Sequence, residues 1–346
     1  MQAMPVGRWP VPRRGSGRAR IAAGCAAGAA MLLAGCSGPG SSSAAGSAPS
    51  GTSITVAAVP GVGDAPLYAA WQRGLFRQMG LTVHVRSYLT VAGAVAALHS
   101  GQASVAAGDY ADFFYEQVQD SGAPMVVVSD GYDAAPNVMD VLVNPDSPIT
   151  TPQGLQNRTI GTAEPQVMPD RFDGPPYSID TVAASSVLEN DGIQPTSVTW
   201  KPMPPNDLVS ALRNHQVDAI LVTEPEIFQA ESALGARTIL DACSGQTVNL
   251  PLDGYFAPRS FATQHRAALL AFRAALVRAQ ASAVQPAPLE AAFMHYAGMD
   301  KQTASLITVG AYPTSLKLAS LQRVADLMSF YGALTRPLDV SQMIFR

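Results

Sequence analysis

Cysteine is scarce in this sequence, with three residues in 346, and basic residues are outnumbered by acids. Five of the 22 lysines and arginines fall within residues 1–35, which contain no acid. The rest of the chain therefore has 17 basic against 26 acidic residues, a net charge near −9. This charge argues against nucleic acid and anionic lipid as partners, because both select basic patches.

The sequence also lacks the common motifs of catalysis and metal binding. There is no GK[ST] phosphate loop, no G-x-S-x-G and no H-E-x-x-H. Gly61-Val62-Gly63 follows a predicted strand, but Pro66 takes the third glycine position of a dinucleotide loop and no acid follows about 20 residues later. The histidines show no paired metal-ligand spacing: His84, His99, His215, His265 and His295. We therefore expect no cofactor, no metal site and no enzymatic activity.

The N-terminus combines a charged segment, an apolar run and small residues, the order of an export signal. Arginines up to Arg20 precede the apolar residues 21–35, and Leu33-Ala34-Gly35-Cys36 resembles the lipobox of bacterial lipoproteins. About 15 apolar residues broken by glycines are short of the ~20 that a membrane span needs. The resemblance implies a signal peptide over 1–35 and a lipid on Cys36 that holds the protein at the extracytoplasmic face of the cell membrane.

The segment after Cys36 is almost wholly Ser, Gly, Ala and Pro up to Ser53. Such a composition cannot bury a core, so we predict a flexible tether over 36–53. With Cys25 removed and Cys36 acylated, only Cys243 remains in the folded part. No intrachain disulfide can then form, and we expect Cys243 to be a buried thiol.

The folded part alternates short β-branched runs with helical patterns, which is typical of βαβ units and a largely parallel sheet. The pattern restarts near residue 138, so we predict two α/β halves. After Gly254 the residues are mostly helical. The predicted strands are 54–59, 81–85, 103–107, 125–129, 138–143, 159–161, 198–200, 217–222 and 238–240.

Three segments resemble the solute-binding proteins of ABC importers for nitrate, sulfonates, taurine and thiamine-precursor pyrimidines. They are Gly63-Asp-Ala-Pro-Leu-Tyr68 with a "GLF…GL" signature over 74–81, residues 96–110, and "ALRNHQVDAI" over 211–220 followed by Glu224-Pro225. The family's glycine in the last pattern is replaced by Asn214 or His215.

The resemblance implies an α/β protein with the two-lobed type II periplasmic-binding fold. Each lobe would be a mostly parallel sheet flanked by helices, and the C-terminal tail would be helical. We place lobe 1 at 54–141 plus 247–346 and lobe 2 at 142–246. The chain would cross between the lobes near Val143-Asn144-Pro145 and Gln246–Leu250.

Ligands of open parallel sheets bind beyond the carboxyl ends of strands, which selects the loops after the predicted strands. Helix N-termini there could hold an oxyanion, with hydroxyl groups as extra donors. The carboxylates in the same loops would instead suit a positive group or N–H donors, with tyrosines as stacking faces. The predicted ligand-binding residues are Asp64, Pro66, Tyr68, Thr90, Asp109, Tyr110, Ser178, Glu224 and Tyr255.

Each of these residues also has a purely structural interpretation. Asp64 and Asp109 could only cap the following helices, Ser178 could cap the helix that begins after it, and Glu224 could lie on the surface of a lobe. A zwitterion or an aminopyrimidine would satisfy both the hydroxyl and the carboxylate groups.

We expect a monomeric, membrane-tethered protein that captures a small sulfonate-like or pyrimidine-like nutrient for an ABC permease and its ATPase. One alternative is a ligand sensor without a transport role. Another is an enzyme like the pyrimidine synthases of this fold, which need a cysteine-rich iron site and a lysine for pyridoxal phosphate. The single Cys243 and the three lysines, Lys201, Lys301 and Lys317, argue against it.

Overall fold

The computed structural model describes residues 52–119, 124–163 and 178–346. The predicted signal peptide, the lipidation site Cys36 and the tether up to Gly51 lie outside the described residues. Cys243 is a free, buried cysteine, as predicted. None of the helices in the described ranges is long and apolar enough to cross a membrane by itself. One bent pair, Arg266–Ser282 with Pro286–Tyr296 at an angle of 114°, would be long and apolar enough, judged by length and composition only.

The described residues form ten strands and twelve α-helices. The strands are β1 Thr52–Ala58, β2 Leu81–Ser87, β3 Val105–Asp109, β4 Met125–Asp133, β5 Met139–Val143, β6 Thr159–Ala163, β7 Thr199–Met203, β8 Ala219–Thr223, β9 Arg237–Asp241 and β10 Pro251–Pro258. The helices are α1 Ala65–Gln72, α2 Leu75–Gln78, α3 Val91–His99, α4 Tyr110–Val118, α5 Ile179–Asn190, α6 Pro205–Arg213, α7 Glu226–Leu234, α8 Arg259–Gln264, α9 Arg266–Ser282, α10 Pro286–Tyr296, α11 Lys301–Leu306 and α12 Leu318–Phe330.

The strands form two five-stranded sheets, one in each lobe. The lobe 1 sheet has the order β2-β1-β3-β10-β4 and the lobe 2 sheet the order β7-β6-β8-β5-β9. In each sheet four strands run in one direction and one runs against them, β10 in lobe 1 and β5 in lobe 2. Each reversed strand is the first one after the chain has changed lobes. It therefore starts at the edge where the carboxyl ends of its neighbours lie.

The first crossing between the lobes lies earlier than predicted. The chain leaves the lobe 1 sheet after Asp133 and enters the lobe 2 sheet at Met139, so β5 belongs to lobe 2 and the predicted boundary near Val143 is wrong. The strand itself was correctly predicted, but its partners β8 and β9 are distant in sequence. The second connection, residues 242–250, includes the segment predicted for it.

Two strands of the lobe 1 sheet, β1 and β10, also differ from the prediction. Thr52 and Ser53 extend β1 and pair with Leu81 and Thr82, so the last two residues of the predicted tether are part of the sheet. The predicted C-terminal helices are confirmed, but they follow β10, a central strand that the sequence did not predict and that pairs with β3 and β4.

The lobe 1 sheet buries one face under α1, α2 and α9. Leu269, Phe272 and Leu276 of α9 are fully buried, and the Phe272 ring stacks on Phe76 of α2 with centroids 5.1 Å apart. Full burial of such a side chain stabilises the fold by about 1.5–3 kcal/mol. Trp71 of α1 is 46% exposed. The helices and the sheet together hold the strand ends that face lobe 2.

Candidate functional site

A cavity of about 230 Å³ lies between the two lobes, at the carboxyl ends of the strands. Lobe 1 contributes the loop of residues 59–64, the ends of β3 and β4, and the start of β10. Lobe 2 contributes the first turn of α5 and the end of β8. The lining residues are Val59, Pro60, Gly61, Val62, Gly63, Asp64, Val91, Gly108, Asp109, Tyr132, Val138, Ile179, Asp180, Thr223, Glu224, Leu252 and Asp253. This is the edge that the sequence predicted for a ligand.

Two tyrosines of the C-terminal segment, residues 296–312, hold the loop of residues 59–64 in place. The Tyr296 hydroxyl donates a hydrogen bond to the Gly61 carbonyl, and the Tyr312 hydroxyl donates one to the Val62 carbonyl at 2.8 Å. Tyr132 of β4 accepts a hydrogen bond from the Gly310 N–H at 2.7 Å. The C-terminal segment thereby fixes the backbone of one cavity wall.

Asp64 lines the cavity and is only 6% exposed. It precedes α1 but its side chain does not cap that helix. Within the described residues no hydrogen bond to this carboxylate is formed, and the buried Tyr255 hydroxyl nearby also has no hydrogen-bond partner. Burial raises the pKa of Asp64 well above its usual value, and the nearby Asp253 carboxylate raises it further.

Asp253, near the start of β10, is a cavity carboxylate that the sequence did not predict. A side chain on Gly63 would overlap its carboxylate oxygen, so the glycine provides the space that Asp253 occupies. Burial, with Asp180 as a second cause, raises the pKa of Asp253 to about 7. Burial also raises the pKa of Asp180, in the first turn of α5, to about 6.

Asp109 and Glu224, both predicted to bind the ligand, line the cavity. Both carboxylates accept hydrogen bonds from backbone N–H groups. Asp109 caps α4 by accepting a hydrogen bond from Ala111. Glu224 accepts one from Phe228, in α7, at 3.0 Å and one from Thr308, in the C-terminal segment, at 2.9 Å. Glu224 thus joins the two lobes at the cavity. Burial raises the pKa of both carboxyls.

The other six predicted ligand-binding residues are not among the residues that line the cavity. Thr90 and Ser178 cap α3 and α5, which confirms the capping role considered for Ser178. Tyr110 donates a hydrogen bond to Asp130 in the lobe 1 core, and Pro66 lies in the first turn of α1. Tyr68 and Tyr255 are buried behind the wall, Tyr68 stacked on Tyr296 with centroids 3.7 Å apart.

Asp180 could have been found from the sequence, because it stands two residues after the helix cap Ser178. Asp253 and Tyr132 had no such signal. Asp253 lies in a strand that the sequence did not predict, and Tyr132 lies beyond the predicted end of its strand.

Comparison with protein families gives one match over most of the fold. The NMT1/THI5-like family model matches residues 63–291. The chain belongs to the NMT1/THI5-like family. A comparison with curated protein sequences finds no match.

Solved structures share the fold of this NMT1/THI5-like chain at low identity. The periplasmic aliphatic sulphonate binding protein SsuA from Escherichia coli aligns with a TM-score of 0.69 and 17% identity, covering 85% of this chain and 97% of SsuA. The nitrate-binding protein NrtA from Synechocystis PCC 6803 aligns with a TM-score of 0.65 and 12% identity, covering 84% of each chain. These matches confirm the predicted two-lobed periplasmic-binding fold.

An enzyme has the same fold. The desulfurization enzyme DSZB aligns with a TM-score of 0.63 and 16% identity, covering 85% of this chain and 96% of the enzyme. The fold therefore does not separate binding from catalysis, and the cavity residues must do so. Lys201, Lys301 and Lys317 are exposed and do not line the cavity. Within the described ranges no three His, Cys, Asp or Glu side chains are placed to hold a metal ion.

Proposed function

We propose that this protein binds a small organic solute in the cavity between its lobes and delivers it to the permease of an ABC importer. The main support for this proposal is the cavity itself, because residues of both lobes line a space of about 230 Å³. An engineered cavity of about 150 Å³ holds benzene, so this volume suits one ring with substituents or a short chain of similar size.

Two hydrogen bonds between the lobes fit a hinge that opens and closes around a solute. Thr308 donates to Glu224 beside the cavity, and Tyr331 donates to Glu189 at 2.8 Å behind it. The first must break when the lobes separate at the cavity. Two connecting segments, 134–138 and 242–250, are the candidates for the hinge.

Membership of the NMT1/THI5-like family and the likeness in fold to SsuA and NrtA support the transport role. The lipid on Cys36 is a further part of the proposal. With two acyl chains it would hold the protein on the extracytoplasmic face of the membrane, within reach of its permease. The sequence-based ligand classes, sulfonate-like and pyrimidine-like, are the starting candidates.

Native mass spectrometry of the full-length protein tests solute capture. We expect one small molecule retained per protein, released on denaturation, and a saturable rise in Tm when it is added back. A turnover of the retained molecule by the protein alone would indicate an enzyme. If no molecule is retained and no small solute raises Tm, solute capture is not the function.

A further inference from the structure

The charge of the cavity between the lobes has one sign. Five carboxylates line it, three from lobe 1 and two from lobe 2: Asp64, Asp109, Asp253, Asp180 and Glu224. No Lys, Arg or His is among the described residues of its lining. A negative ligand would therefore find no positive side chain among these residues and would oppose the ionisation of the carboxyls on both sides of the cavity.

Helix N-termini at the cavity could still hold an anion, but at three of them, those of α4, α5 and α7, a side-chain oxygen of the protein already accepts from one backbone N–H group. Asp109 accepts a hydrogen bond from Ala111 of α4, and Glu224 accepts one from Phe228 of α7. At α5 the donor is Thr181, which bonds to the Ser178 hydroxyl. At these three N-termini the protein's own oxygens compete with a sulfonate or nitrate for the backbone donors.

Three carboxylates remain available to a ligand, because no backbone N–H group of the described residues bonds to them. Asp64 is more than nine-tenths buried at the cavity wall and does not cap α1, and the nearby Tyr255 hydroxyl forms no hydrogen bond within the described residues. Asp180 and Asp253 line the same cavity, and none of the charged groups that influence Asp253 is basic. Buried carboxylates without a counter-charge are unfavourable, and a cationic ligand would supply that charge.

A glycine at position 63 leaves the space that the Asp253 carboxylate occupies. Gly63 has no side chain, and any Cβ at this position would overlap the Asp253 carboxylate. Asp253 itself lies near the start of the reversed strand β10, which brings it beside Asp64 although the two are far apart in the chain. The acidic arrangement is therefore built by the fold from three separate segments.

We propose that the ligand is a small organic cation whose amidinium, guanidinium or ammonium group binds between Asp64, Asp180 and Asp253. This inference rests on the proposed solute-binding function. Planar N–H groups with a positive charge match carboxylates in charge and in hydrogen-bond geometry. The apolar part of the ligand would contact Val62, Val91 and Leu252, which line the same cavity.

A metal ion is the other cation that carboxylates bind, and the structure disfavours it. In the described part of the chain, no group of three possible ligands is close enough to hold one. The cavity volume of about 230 Å³ also exceeds what a single ion needs. An organic cation uses both the charge and the space.

Benzamidine, benzamide and benzoate test the inference, because they share one shape and differ in charge. Titration calorimetry of the full-length protein, freed of retained solute by dialysis, should show benzamidine binding at least tenfold more tightly than benzamide, and no benzoate binding. Asp180→Asn and Asp253→Asn should each weaken benzamidine binding at least tenfold. The matched control Asp146→Asn changes an exposed carboxylate of lobe 2 and should leave binding unchanged.

The molecule retained in native mass spectrometry distinguishes a failure of the cationic-ligand inference from a failure of the proposed solute-binding function. A retained anion, or tighter binding of benzoate or benzenesulfonate than of benzamidine, would overturn the cationic ligand and leave solute binding intact. A retained cation would support the inference. If nothing is retained and none of the probes binds, both the inference and the proposed function fail.

Discussion

Asp253→Asn tests whether the cavity carboxylates destabilise the ligand-free fold. The pKa of Asp253 is raised to about 7, so its folded form holds a proton that the unfolded chain releases near pH 4. A carboxyl with a raised pKa contributes stability that is present at low pH and is lost as pH rises through the folded pKa. We therefore expect the Tm of the wild-type protein to fall between about pH 5 and about pH 8.

The titratable groups that face Asp253 are acids and tyrosines, and Asp180 is the one whose charge raises the pKa of Asp253. They come from β10 itself and from the elements packed around it, and none is basic: Asp64, Asp109, Asp112, Asp180, Tyr110, Tyr132, Tyr255, Tyr296 and Tyr312. No partner within the described residues therefore offsets its ionisation.

The size of the effect follows from the width of the pH window. Two pH units between about pH 5 and the folded pKa correspond to at most about 3 kcal/mol for one carboxyl. Water in the cavity screens part of this, so we expect about half. At about 2–4 °C per kcal/mol, the Tm of wild type should fall about 3–6 °C further than the Tm of Asp253→Asn.

Thermal unfolding of the ligand-free full-length protein, followed by tryptophan fluorescence at a series of pH values, measures this difference. Asp146→Asn is the control, because it removes an exposed carboxylate, and its curve should follow that of the wild type. Parallel Tm curves for Asp253→Asn and wild type would refute the reasoning, since Asp253 would then ionise at no cost to the fold.

Two further predictions concern the cavity wall and the anchor. Gly63→Ala should displace the Asp253 carboxylate, lower stability by about 1–3 kcal/mol through overpacking and weaken binding of the retained solute, as measured by Tm and calorimetry. Gly61→Ala, whose Cβ would lie 3.8 Å from its nearest neighbour, should be tolerated, and equal losses in the two variants would contradict the assigned role of Gly63. Cys36→Ala should release the protein into the medium, seen by fractionation, with unchanged solute affinity. A weaker affinity would mean that the predicted tether belongs to the folded part.

The two-lobed fold could be predicted because its strands are marked by local sequence. β-Branched runs with a glycine or proline close to one end identify β1, β2 and β8, and their order matches the pattern of the resemblance. Which sheet a strand joins is not local information. β5 was predicted as a strand, but the predicted lobe boundary after Val141 divided it, because its neighbours β8 and β9 follow about 80–100 residues later.

β10 shows a second limit of sequence-based prediction. Its residues, Pro-Leu-Asp-Gly-Tyr-Phe-Ala-Pro, include four of the types that are depleted in strands. The segment is extended because it pairs on both sides, with β3 and with β4, and tertiary pairing outweighs weak local propensity. Asp253 was missed for this reason, although it lines the cavity as fully as the predicted acids do.

Asp64 and Asp109 show why cavity residues and helix caps could not be separated in advance. Both are acids that stand between a strand and a helix, and the sequence allows the same two roles for each. Asp109 has the extended backbone of a cap residue, with φ −61° and ψ 132°, so its carboxylate turns back to the N–H of Ala111. Asp64 lies at the end of a short 3₁₀ turn, with φ −88° and ψ 0°, and no hydrogen bond to the next helix forms. The turn therefore decides which carboxylate stays available, and this turn is held by Tyr296 and Tyr312 from the far end of the chain.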